Sequence, residues 1–130
     1  MDNAAKSQFR LKQAEECLAM AQALFGLNFY KGSVNRCYYA IFHAIRAILV
    51  LEGLDKYSKH SGVTSAFHRY YIKTGKFETR FSDVVVDSFD LRQLSDYKDF
   101  FILTKSEAAE QLANAREFVS AFADYLANLP

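Results

Sequence analysis

With one proline and five glycines in 130 residues, the chain has few places where a regular element must break, so long uninterrupted segments are expected. No stretch approaches the roughly 18 apolar residues that cross a bilayer. Met1 to Lys12 is polar and charged, without the apolar run of a secretory signal, so no membrane association is expected. Only two cysteines occur, Cys17 and Cys37, both among apolar neighbours in helical patterns. A single bridge is a poor framework for a core-rich chain, and two buried, reduced thiols are the expectation. That usage points to the cytoplasm. The net charge is +1, too small for a general attraction to polyanions. There is no Gly-rich phosphate loop, His-Glu-x-x-His, Cys-x-x-Cys or Gly-x-Ser-x-Gly. His43, His60 and His68 are scattered and form no ligand cluster, so neither a metal site nor a cofactor is expected.

What is present is core material. The hydrophobic fraction is 51%, with 12 Phe and 8 Tyr, which excludes a disordered polymer; the length suits one domain over residues 1–130. Leu11, Ala14, Leu18, Ala21 and Phe25 recur at three- and four-residue spacings, with Met20 and Leu24 widening the stripe. They predict an amphipathic helix from about Ala5 to Leu27, stopped by Gly26 and Asn28. The segment from about Lys31 to Glu52 is apolar on nearly every face and ends at Gly53, as befits a helix in the middle of a bundle. A third helix is predicted from about Lys59 to Lys73, ending near Gly75. A fourth is predicted from about Ser82 to Tyr97, with Ser82 or Asp83 as cap, although Val84-Val85-Val86 favours strand locally. Thr104 and Glu107 form a capping box, opening a fifth helix with a seam from Ala108 to Leu129. The fold class is therefore all-α, an up-and-down bundle of four to five helices.

Two polar groupings stand out against this background. Between Lys56 and Arg80, six basic residues (Lys56, Lys59, Arg69, Lys73, Lys76, Arg80) face one acid, Glu78, either as a solvated helix face or as a phosphate-contacting patch. On the second helix, Arg36, Tyr39, His43 and Arg46 lie within a sector of about 80° at 3.6 residues per turn. A buried, unpaired charge is too costly. The arginines are therefore expected either to pair with acids on neighbouring helices, to lie at a dimer contact, or to hold an anion. Farther on, Arg92 and Asp96 are spaced for an i,i+4 ion pair, with Tyr97 beside them as a core ring.

In chain order, Lys12-x-Ala14-Glu15-x-x-Leu18, Arg36-Cys-Tyr38-Tyr39-Ala40-Ile-Phe42-His43-Ala44, Lys59-His60-Ser61-Gly62-Val63, Leu91-Arg92-x-x-x-Asp96-Tyr97 and Thr104-x-x-Glu107-Ala108 resemble the HEPN family of small helical-bundle proteins. The resemblance covers nearly the whole chain. It implies a homodimer, and in many members a metal-independent RNase serving as a toxin beside a small nucleotidyltransferase antitoxin. The family's active motif is an Arg followed, after four to six residues, by a His, assembled from both subunits at the dimer cleft. Arg92 occupies the family's usual position, but Tyr97 stands where nucleases carry His. A tyrosine with a pKa near 10 is a poor base at pH 7, yet Arg92 can still neutralise charge on a phosphorane. The resemblance thus implies Arg92, Tyr97 and Asp96 as catalytic residues. Arg36, His43, Lys59 and His60 are implied as RNA- or nucleotide-binding residues. A non-catalytic binding module is the alternative.

Overall fold

The computed structural model describes all 130 residues and contains helices with no strand. Asp2 caps the first helix, α1 (Asn3–Gly26), its carboxylate accepting from the Ala5 amide at 2.8 Å. The left-handed residue that ends α1 is Asn28, at φ 66°, and Gly26 stays helical. Its buried stripe is Ser7, Leu11, Ala14, Cys17 and Ala21; Met20, predicted to widen it, is exposed.

A three-residue turn leads into α2 (Tyr30–Leu51), packed antiparallel on α1. The Ser33 hydroxyl donates to the Ala21 carbonyl at 2.8 Å, and a Cβ at Gly32 would come within 3.3 Å of the Leu24 side chain, so a small residue permits the close approach. α2 also packs against α4 and α5, and Ala40, Ala44 and Ala47 are fully buried along it. By length and composition alone α2 is apolar enough to cross a membrane. Its burial between three neighbouring helices accounts for that apolarity. Gly53, at φ 78°, terminates it.

The third helix, α3 (His60–Phe67), runs directly into a π-turn over His68–Ile72, where the Lys73 amide donates to the His68 carbonyl at 2.9 Å. α4 (Arg80–Tyr97) begins two residues earlier than the sequence pattern implies. Its cap residue is Thr79, which makes no side-chain bond, rather than Ser82 or Asp83. Val85 turns inward, Val84 is half-buried and Val86 is exposed. The valine run is helical because a lone strand would leave its backbone groups unpaired. The capping box forms as expected, with Thr104 and Glu107 exchanging bonds of 3.1 Å, and opens α5 (Lys105–Ala127).

The core is aromatic at one end. Phe67, Tyr71, Phe77, Phe81, Phe118 and Phe122 pack together, with Phe118 and Phe122 stacked at 4.2 Å between centroids. Both cysteines are buried and unpaired, and burial pushes the Cys37 thiol up to about 12. At the other end the surface is apolar: Leu27, Phe29, Tyr97, Phe100 and Ile102 are exposed around the α1–α2 turn and the segment between α4 and α5.

Candidate functional site

α2 and α4 cross with Arg92 between them. Its side chain, 16% exposed, lies on the Tyr38–Tyr39 step of α2, with the guanidinium carbon 5.1 Å and 5.4 Å from the two ring centroids. Nε donates to Asp96 Oδ2 at 3.1 Å, and Nη2 donates to the Tyr39 hydroxyl at 3.2 Å. The other helix holds the same carboxylate, through Asn35 Nδ2 at 3.1 Å. A guanidinium carries five N–H donors, so two are committed to positioning it and three remain. Asp96 is thus a positioning residue. Arg92 is held in place by these contacts and keeps three donors without a partner in the chain.

His60, the first residue of α3, reaches the same wall. Its Nδ1 lies 2.8 Å from the Tyr38 hydroxyl, and its ring stacks on Phe89 at 3.6 Å between centroids. Burial, and after it the field of Arg92, hold the imidazole below the ordinary histidine value, with Asp90 opposing. His60 is therefore neutral at pH 7. The Tyr38 hydroxyl, pushed up to about 12 mainly by burial, remains protonated. Arg92 and His60 come from helices with no sequence proximity and share one tyrosine.

The cationic strip of α2 continues from this point. Arg36 donates through Nε (3.0 Å) and Nη2 (2.6 Å) to Asn35 Oδ1 and lies 4.8 Å from the Tyr39 centroid. One turn on, His43 packs between Tyr39 and Phe42, its Nδ1 buried and without a partner within the chain. Burial lowers its affinity for protons, and Arg10, Arg46 and Arg36 lower it further. Arg46 lies over the Phe42 ring. Neither Arg36 nor Arg46 forms a salt bridge, so the expectation that acids on neighbouring helices neutralise them is not met. Asp55, the acid whose field reaches Arg46, sits 3.6 Å from Lys6. Tyrosine and phenylalanine faces take the place of carboxylates beside these cations.

The structure thus joins Arg92, Asp96, Arg36 and His60 around Tyr38 and Tyr39, with His43 a turn away. Lys59 caps α3 beside His60 but is exposed and makes no capping bond. Tyr97 is not the core ring its sequence context suggests. It ends α4 at 68% exposure, and its ring centroid is 6.0 Å from the Arg92 guanidinium, at the limit of a cation–π contact. Five residues of regular helix rotate it about 140° away from Arg92. Sequence reasoning passed over Asn35, Phe89 and Arg10. Asn35 adjoins Arg36 in the motif string and could have been found there; Phe89 and Arg10 join the site only through interhelical packing.

A family model described as the HEPN domain matches residues 7–125. The chain is 32% identical over 118 residues to a Thermotoga maritima protein named UPF0332, covering 91% of this chain and 89% of that one. Two Methanocaldococcus jannaschii proteins described as candidate toxins are also similar. One is 28% identical, covering 89% of this chain and 78% of the relative; the other is 37% identical, covering 69% and 66%.

Proposed function

The chain belongs to the HEPN family, and from that premise we propose that it is a toxin-like protein that acts on RNA as a homodimer, gripping a phosphodiester at the α2–α4 face. Relatives described as candidate toxins support the first part. The observation that carries the second is the convergence of Arg92 and His60 on Tyr38. In this reading His60, from α3, stands in for the imidazole missing five positions after Arg92.

In this reading the free donors of Arg92 meet the phosphate and stabilise charge as it develops on the phosphorane. With Nδ1–H donating to the Tyr38 oxygen, Nε2 of neutral His60 is an open acceptor for the ribose 2′-hydroxyl proton. The 2′-oxygen then bonds to phosphorus as the P–O5′ bond breaks; the departing 5′-oxygen takes a proton from water and leaves as a 5′-hydroxyl, and the upstream strand ends in a 2′,3′-cyclic phosphate. Arg36, His43 and Arg46 extend the anionic contact along α2, and Lys59 flanks it. The exposed apolar surface of Leu27, Phe29, Phe100 and Ile102, next to the end of α4, supplies the dimer contact that places two such faces together. A minimal nucleotidyltransferase is the partner this reading implies, as antitoxin.

Incubating the purified chain with end-labelled RNA in EDTA tests the activity. Cleavage that leaves cyclic phosphate ends and disappears in Arg92→Ala and His60→Asn is the expected result. Tyr97, an exposed phenol five positions after Arg92, favours a second reading, a module that binds RNA or nucleotide without cutting it. RNA binding lost in Arg92→Ala, with the strand intact throughout, would select that reading.

A further inference from the structure

The basic window between Lys56 and Arg80 resolves into two halves. Arg80 pairs with Glu78 and Glu117, and Lys76 approaches Glu52 at 4.0 Å. Arg69 and Lys73 make no salt bridge, and both are exposed. They line an open cavity of about 550 Å³ with Thr64, Ser65, His68 and Ser82, and no apolar side chain takes part. Hydroxyls and cations crowded together without a carboxylate are the donors an anion needs. Glu78, the acid nearest the two cations in sequence, is paired with Arg80, and Asp83, which follows Ser82 in the first turn of α4, forms a salt bridge with neither cation.

Backbone register assembles this group. At 3.6 residues per turn, Ser65 and Lys73 would drift about 80° apart. The π-turn over His68–Ile72 takes up an extra residue per turn and winds Lys73 back toward Ser65. Such turns cost helical hydrogen-bond regularity and are found disproportionately at functional sites. Arg69 is further steadied by its contact with Tyr70, at 5.3 Å from guanidinium to ring centroid.

We infer that the cavity walled by Arg69, Lys73 and His68 is a phosphate-binding pocket for phosphoester oxygens, separate from the Arg92 site. Ser82 and Arg92 are ten positions apart on α4, about 15 Å along its axis. The lining carries no Phe, Tyr or Trp and is dominated by cations and hydroxyls, so the contact it is built for is the phosphate rather than the base. Its source is either the backbone of an RNA strand or the phosphates of a free nucleotide.

Anisotropy of a labelled single-stranded RNA between 50 and 200 mM salt, with ATP and inorganic phosphate titrated separately, tests this in wild type and Arg69→Gln/Lys73→Gln. For a strand, losing two phosphate contacts lowers the salt slope by about 1.4, equivalent to about sevenfold less weakening across that range. A loss of ATP or phosphate affinity in the same variant instead assigns the pocket to the free nucleotide. The equivalent two-charge change on α5, Lys105→Gln/Arg116→Gln, controls for net charge. Circular dichroism confirms that each variant folds. The Arg69/Lys73 effect is expected to persist in Arg92→Ala, which separates it from the fate of the α2–α4 reading. The inference is overturned if RNA, ATP and phosphate all bind the variant as they bind wild type, or if the α5 control produces the same loss.

Discussion

Arg92→Ala distinguishes a functional arginine from a structural latch. The residue lies on two tyrosine rings, donates to Tyr39 and pairs with Asp96. The helical ion pair is worth about 0.3–0.5 kcal/mol. A hydrogen bond from a charged donor reaches about 1.5 kcal/mol at the low end, and the cation–π contact adds about 0.5–1 kcal/mol. These overlap, since a single guanidinium makes them all. The carboxylate left behind is not orphaned, because Asn35 still donates to Asp96. The net destabilisation should therefore be about 1–2 kcal/mol. Urea denaturation followed by circular dichroism measures it. With m near 2 kcal/mol per molar, the midpoint should fall by about 0.5–1 M with m unchanged, leaving a folded protein that lacks the proposed RNA contact. A loss above about 4 kcal/mol would refute the reasoning, because Arg92 would then be a keystone of the bundle. So would no loss at all, because the contacts to Tyr38, Tyr39 and Asp96 would not be populated.

His43 and His60 bind protons less readily in the folded chain than their ordinary value of 6.5 allows. Their contribution to stability is intact above that pH and is lost as pH falls from about 6.5 toward the lower folded values, because the unfolded chain takes up protons first. Stability measured from pH 7 to 5 should decline less steeply in His43→Gln/His60→Gln than in wild type, the ceiling being about 1.4 kcal/mol per pH unit for each proton. An identical slope would contradict the burial assigned to both rings. Phe122→Ala, at a fully buried ring touching Phe77 and Phe118, should cost about 3–5 kcal/mol in the same denaturation assay. Thr104→Ala removes the hydroxyl half of the capping box at α5, leaving the residue-104 amide still able to donate to Glu107, and should cost about 1 kcal/mol; a neutral result would mean that water replaces the cap.

The helices were legible because their signals are local. The capping box at Thr104, the glycine at 53 and the 3.6-residue seam of α5 each depend on neighbours within a few positions, and each held in the fold. The start of α4 was misplaced by two residues because Thr79 caps it without a side-chain bond, leaving no chemical mark to read. The π-turn was invisible for a similar reason, since no residue type announces an i→i+5 bond. The site was half legible. The strip from Arg36 to Arg46 and the Arg92–Asp96 spacing follow from helical periodicity. That aromatic rings rather than carboxylates attend those arginines, and that His60 arrives beside Tyr38, depends on how α2, α3 and α4 pack. Beside an Arg92–Asp96 pair Tyr97 reads as a core ring, yet the chain leaves α4 at that residue and the ring is exposed.

The central claim is that the α2–α4 face closes on a phosphodiester. A structure of the protein with a 2′-deoxy-substituted oligonucleotide, which it cannot cut, tests this most directly. The expected result is a phosphate oxygen within hydrogen-bond distance of an Arg92 nitrogen, with the flanking 2′-position facing His60 Nε2. A strand bound elsewhere, with Arg92 still closed on Asp96 and Tyr39 and no phosphate near it, would contradict it.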